Sequence, residues 1–167
     1  MKKLFLSTIL SVLIAALSLA ADTNKKNPTA VNNSTSHYES GENVNSAIIS
    51  SFASRFDRAE NVSWTSTEGF VKASFTLGNK SMAAYYEKDA SFIGTSSLIT
   101  LDQLPIRAKR SFAKRYSDYT IKDAIRFDAS DETAYYVTAE NEARSLILKV
   151  SAQGSVSIFF KSVRKKD

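Results

Sequence analysis

Ser51-Phe52-Ala53-Ser54-Arg55-Phe56 returns sixty positions later as Ser111-Phe112-Ala113-Lys114-Arg115-Tyr116. Beyond this block the echo persists as patterning. Val71, Ala73, Met82, Ala84, Tyr86 and Phe92, each shifted by sixty-four, land on Tyr135, Val137, Leu146, Leu148, Val150 and Val156. The change of offset implies a four-residue insertion between the blocks, which is what a lengthened loop looks like. Self-similarity at a fixed offset marks a duplicated supersecondary unit.

In the first copy Ile48, Ile49, Phe52 and Phe56 recur at three- and four-residue spacings, predicting a helix with an apolar stripe, capped by Asn45 or Asn43. Val62 and Trp64 alternate with polar neighbours, so a strand follows, and Trp64 is expected in the core. Thr67-Glu68-Gly69 turns. Val71, Ala73, Phe75 and Leu77 form the inward face of the next strand, Gly78-Asn79 signals a tight hairpin, and Met82, Ala84 and Tyr86 continue the alternation. Lys88-Asp89-Ala90 turns into a fourth strand at 91–98.

The second copy has the same order. Pro105 fits the first turn of a helix, where its missing N–H costs nothing, and Ala108, Phe112, Ala113 and Tyr116 supply the buried stripe. Arg107, Arg110 and Lys114 line another side, a wetted helix face. Strands are predicted at 121–127, 134–140, 145–150 and 155–160. The strand-helix-strand rhythm of a parallel sheet is missing. The fold class is therefore α+β, with tandem αββββ repeats in antiparallel meander. The expected layout is a signal peptide at 1–20, a flexible leader at 21–44, repeats at 45–99 and 100–161, and a basic tail at 162–167.

Lys2 and Lys3 precede an apolar run at 4–19, and Ser18-Leu19-Ala20 offers small residues where a signal peptidase reads, so cleavage is expected between Ala20 and Ala21. An uncleaved anchor would need about 20 apolar residues, and this run is shorter and broken by Ser7, Thr8, Ser11 and Ser18. The expected location is periplasmic or secreted, with no membrane span after cleavage. Residues 22–43 are rich in Asn, Ser and Thr, hold the single histidine, His37, and cannot bury enough to offset ordering entropy. Asn33-Ser34-Thr35 matches a glycosylation acceptor, which matters only in a glycosylating host.

The 167 residues carry no cysteine, which excludes disulfides, thiolate metal sites and a lipid-modified N-terminal Cys. Each repeat alone is near the ~60-residue size at which burial is marginal, which favours two halves packed together. The formal charge of +5 falls to +3 without Lys2 and Lys3. Lys161, Arg164, Lys165 and Lys166 hold much of it in a short solvated end, unlike the basic stripe with interleaved aromatics of a nucleic-acid binder.

The tandem helix-plus-four-strand order resembles the PepSY-like, β-lactamase-inhibitor-like exported proteins of the Bacteroidetes. The cues are the helix ending in Phe56, the Val62-Ser63-Trp64 strand, the Gly78-Asn79 hairpin, Leu104-Pro105, and Asp131-Glu132 before Tyr135-Tyr136-Val137, covering about residues 45–161. The resemblance implies an open antiparallel sheet with both helices on one side. It also implies a partner gripped by loops and by the concave sheet face. The lactamase inhibitors carry disulfides and this chain has no cysteine; no loop matches their lactamase-plugging elements residue by residue, so no functional residue is carried over.

Groups able to do chemistry are few. No Gly-x-Ser-x-Gly elbow or Gly-x-x-x-x-Gly-Lys loop occurs among the five glycines. The paired carboxylates, Glu87 with Asp89, Asp128 with Asp131 and Glu132, and Glu140 with Glu142, fall at strand ends or turns. Asp128 to Glu132 could hold calcium weakly but lacks the length and glycine of a dedicated loop. The expectation is no enzyme, no cofactor and no metal.

A binding surface fits better. On the strand faces left outside the core, Phe70, Lys72, Tyr85, Tyr136, Lys149 and Phe159 stand among small polar residues, a composition that recognition surfaces use because rings give area at little rotamer cost. The competing readings are cross-strand pairs that shield a sheet from water, or faces assigned one residue out of register. The expected function is an exported, non-enzymatic module recognising a protein or peptide, with inhibition of a secreted or periplasmic enzyme as its sharper form. The alternatives are a carrier of a small apolar ligand and a structural or stress protein of the envelope.

Overall fold

The computed structural model describes residues 44–163. The expected signal peptide, the leader with His37, and residues 164–167 lie outside the described residues. The described chain is α+β. Helix α1 (Ser46–Arg55) is followed by β1 (Ala59–Ser66), β2 (Val71–Leu77), β3 (Lys80–Tyr86) and β4 (Phe92–Leu98). A short 3-10 turn (Leu101–Gln103) leads to α2 (Ile106–Arg115), β5 (Thr120–Ala129), β6 (Thr133–Glu140), β7 (Arg144–Ser151) and β8 (Val156–Val163). Among the described residues no helix is long and apolar enough to cross a membrane.

The chain forms two compact units that divide after Ile93, inside β4. This differs from the expected boundary at 99/100. The ladder explains why: Gly94 to Leu98 of β4 are hydrogen-bonded partners of Ala129 to Ile125 of β5.

In the first unit the Asn45 side chain accepts the Ala47 N–H at 2.9 Å and so caps α1. The helix buries Ile48 and Phe52. The Phe52 ring lies 5.0 Å from Phe75, 5.1 Å from Phe56 and 5.3 Å from Trp64. Strands β1, β2 and β3 pair antiparallel in chain order, with Ala73 opposite both Trp64 and Ala84. Alternate residues of these strands (Val62, Trp64, Val71, Ala73, Phe75, Ala84 and Tyr86) form the floor on which α1 packs. Burying each of the large side chains stabilises by about 1.5–3 kcal/mol, which accounts for a helix of only ten residues. Gly78 adopts φ +60° in the turn between Leu77 and Lys80, as the hairpin signal predicted. A bulge between Glu60 and Ser63 was not foreseen. It is accommodated by Asn61 at φ +53°, a conformation that asparagine tolerates better than most side chains.

In the second unit Pro105 stands at the cap position of α2, one residue ahead of the expected first turn. Helix α2 packs through Ala108, with Leu104, onto Ala124, Val137, Ala139, Leu146, Leu148 and Val150. Strands β5 to β8 pair antiparallel in chain order, and β8 carries a bulge at Phe159 between Ile158, opposite Leu148, and Phe160, opposite Ile147. The small Ala108 lets the start of α2 approach the β7–β8 turn closely. At Gly154, φ +83°, a Cβ would lie 2.9 Å from the Arg107 Cβ and 3.2 Å from the Ala108 nitrogen.

Candidate functional site

Each unit presents, on the strand face turned away from its helix, a lysine and a tyrosine opposite one another across a ladder. In the first unit Lys72 of β2 faces Tyr85 of β3. Phe70, held by a turn in which its N–H donates to the Thr67 hydroxyl at 3.1 Å, packs edge-on against Tyr85 at 5.9 Å. In the second unit Tyr136 of β6 faces Lys149 of β7, and Phe159 packs edge-on against Tyr136 at 5.1 Å. The Lys149 ammonium pairs with the Glu132 carboxylate at 2.9 Å.

The face assignment made from alternation is therefore the observed one, but the exposure is not. Phe70, Lys72, Tyr85 and Tyr136 are buried, Tyr85 completely, and only Lys149 and Phe159 remain partly exposed. A buried ring cannot be the first contact of an incoming partner. Phe70, Lys72 and Tyr85 form the floor of that face in the first unit, and Tyr136 does so in the second, where Lys149 and Phe159 are partly exposed. Ala83 in the first unit and Ile125, Phe127, Ala134 and Ile147 in the second are buried alongside them. Alternation in the sequence marks a second face, but it does not show that this face too is apolar and enclosed.

Burial has electrostatic consequences. Loss of hydration lowers the Lys72 ammonium below the usual lysine range. Burial pushes the Tyr136 phenol up to about 12, and the Glu132 carboxylate adds to the effect. A phenol that titrates at about 10 in the unfolded chain but higher in the folded one keeps its proton longer when folded. That contribution is whole below about pH 10 and is lost as the pH rises towards about 12. The unfolding free energy measured in urea should fall by about 2–3 kcal/mol across that window. Tyr136→Phe should remove this part of the slope. An unchanged slope in the variant would assign the alkaline loss to other groups.

Asp89, Asp128 and Glu140 are held by hydrogen bonds. Asp89 accepts the Ser91 N–H at 2.9 Å, which holds its carboxyl below the usual range. Asp128 accepts from Arg126 at 2.9 Å and from the Thr133 hydroxyl at 2.7 Å. Glu140 accepts from the Ser145 hydroxyl at 3.2 Å. A hollow of about 620 Å³ beside the β6–β7 turn is lined by Asp118, Thr120, Lys122, Glu140, Asn141, Glu142 and Ala143. Its mixed charges and the Asn141–Asp118 hydrogen bond of 3.1 Å make it a polar surface dish, unsuited to an apolar ligand. Among the described residues no group of three or more His, Cys, Asp or Glu side chains is placed to hold a metal ion.

No family model and no curated protein matches this sequence. Solved structures do. A DUF2874 family protein from Bacteroides uniformis superposes with a TM-score of 0.64 at 14% identity, over 72% of this chain and 89% of that one. A BLIP-like protein from Bacteroides fragilis gives 0.62 at 14% identity, over 76% and 91%. The fold is similar to that of BLIP-like structures. A Bacteroides eggerthii protein provisionally described as periplasmic gives 0.64 at 12% identity, over 73% and 90%. At these identities the BLIP-like resemblance is one of fold, as the residues of 45–161 had suggested.

Proposed function

We propose that this chain is an exported, non-enzymatic binding module that holds a protein or peptide against the helix-free face of its second unit, and so restrains a secreted or periplasmic enzyme. The observation that carries the reading is the recurrence of a lysine–tyrosine pair backed by a further ring, Phe70 on Tyr85 and Phe159 on Tyr136. In the second unit Lys149 and Phe159 rise partly exposed from this floor, supplying one cation and one ring for a partner to meet. Export is supported by Lys2, Lys3 and the apolar run at 4–19, and by the similarity in fold to a protein provisionally described as periplasmic. A role without catalysis is supported by the hydrogen bonds that already occupy Asp89, Asp128 and Glu140.

Descent from a duplicated PepSY-like unit belongs to the same proposal. Its support is that cross-strand partners carry over at one offset. Ala73–Ala84 and Phe75–Met82 correspond, sixty-four residues on, to Val137–Leu148 and Ala139–Leu146.

The test is capture from the native envelope fraction by the chain from Ala21 onward, against a Lys149→Ala/Phe159→Ala variant. The Lys149–Glu132 pair is partly exposed and worth about 0–1 kcal/mol, so the variant should fold, which circular dichroism checks. A protein retained by the wild type and lost by the variant is the expected result. Equal retention by both would remove the face from consideration.

A further inference from the structure

Strand β8 borders the second unit, and among the described residues of that unit it pairs with β7 alone. Three of the exposed large apolar side chains lie on it, Ile158, Phe160 and Val163, which are 55%, 40% and 77% exposed. The strand Val-Ser-Ile-Phe-Phe-Lys-Ser-Val contains no acidic residue. Its surroundings are cationic. Lys161 is exposed, exposed Arg144 of β7 stands opposite Val163, and the Arg115 guanidinium donates to the Val156 carbonyl at 3.2 Å. This edge thus combines a strand with no second strand beside it among the described residues, apolar side chains and positive charge at both ends.

We propose that β8 accepts an added strand from a partner protein, an extended segment in which Glu or Asp alternates with apolar residues. Main-chain bonds would supply affinity, and the alternating side chains would supply choice of partner. A second copy of this chain fits less well. A β8 strand of a second copy has no acidic residue to set against Lys161 and brings a further lysine to the edge. The bulge at Phe159 and the exposed Lys161 are devices that discourage indiscriminate edge pairing, so an acidic strand is selected over a neutral one. This inference does not rest on the helix-free face.

The probe is a capped, fluorescent peptide of about eight residues that alternates Glu and Val. The expected result with the chain from Ala21 onward is saturable binding by fluorescence anisotropy. It should weaken at least about tenfold in Lys161→Glu, weaken with added salt, and be lost when alternate peptide amides are N-methylated. The exposed Lys161 makes that variant safe for folding. Equal binding of a Lys/Val peptide, insensitivity to N-methylation or an unchanged Lys161→Glu would each overturn the proposal. So would a dimer in light scattering that Phe160→Lys dissolves, which would give the edge to a second copy.

Discussion

Trp64→Ala should destabilise the protein by about 3–5 kcal/mol, measured by urea unfolding followed by circular dichroism, since the substitution removes the sole tryptophan fluorophore. Trp64 is buried in β1 against the Phe52 ring, which also meets Phe56 and Phe75. Truncation would remove the largest ring from this cluster. The void would be bounded by side chains from both helix and strands, which cannot all close upon it. Trp64→Phe provides the discriminating comparison. It keeps an aromatic ring on Phe52 and deletes an indole N–H that has no hydrogen-bond partner among the described residues. Its cost should therefore be well below that of alanine. Similar losses for both variants would mean that fit to the indole shape, and not buried area, governs this site.

Gly154→Ala should cost about 2–5 kcal/mol, with the same unfolding measurement as the check. Two terms contribute. An alanine at φ +83° pays about 1–2 kcal/mol for the left-handed conformation. Its Cβ would also press on the Pro105 Cβ at 3.1 Å and the Arg107 Cβ at 2.9 Å, overpacking that costs about 1–3 kcal/mol. Gly78→Ala separates the two. Gly78 has φ +60° with nothing within 4 Å of the added Cβ, so it should lose only the conformational part. Equal losses at both glycines would show that α2 yields to the added methyl.

The elements were legible wherever one local rule decided them. The Ile48–Phe52–Phe56 spacing marked α1, and Asn45 marked its start. Gly78-Asn79 fixed the β2–β3 register from Leu77–Lys80 onward. The bulges at Asn61 and Phe159 left no such mark, because each changes the chain's direction by a single residue without altering the composition around it. The candidate face was legible as a parity: Lys72, Tyr85, Tyr136 and Lys149 do share the helix-free sides of their ladders. Its burial was not, since alternation tells which way a side chain points and nothing about what lies beyond it. The division at Ile93 was hidden for a related reason. The allegiance of β4 is written in its hydrogen-bond partners on β5, far along the chain.

The lysine–tyrosine pairs have a consequence for how such chains drift apart. In the first unit the lysine is on the earlier strand and the tyrosine on the later; in the second the order is reversed. A comparison that scores one position at a time counts two mismatches there, while the ladder sets the same two residue types opposite one another. If selection acts on the couple and not on its members, exchanges of this kind erase likeness column by column and leave the scaffold untouched. Distant kin of this chain should be easier to find by matching partners across strands than by matching letters along them.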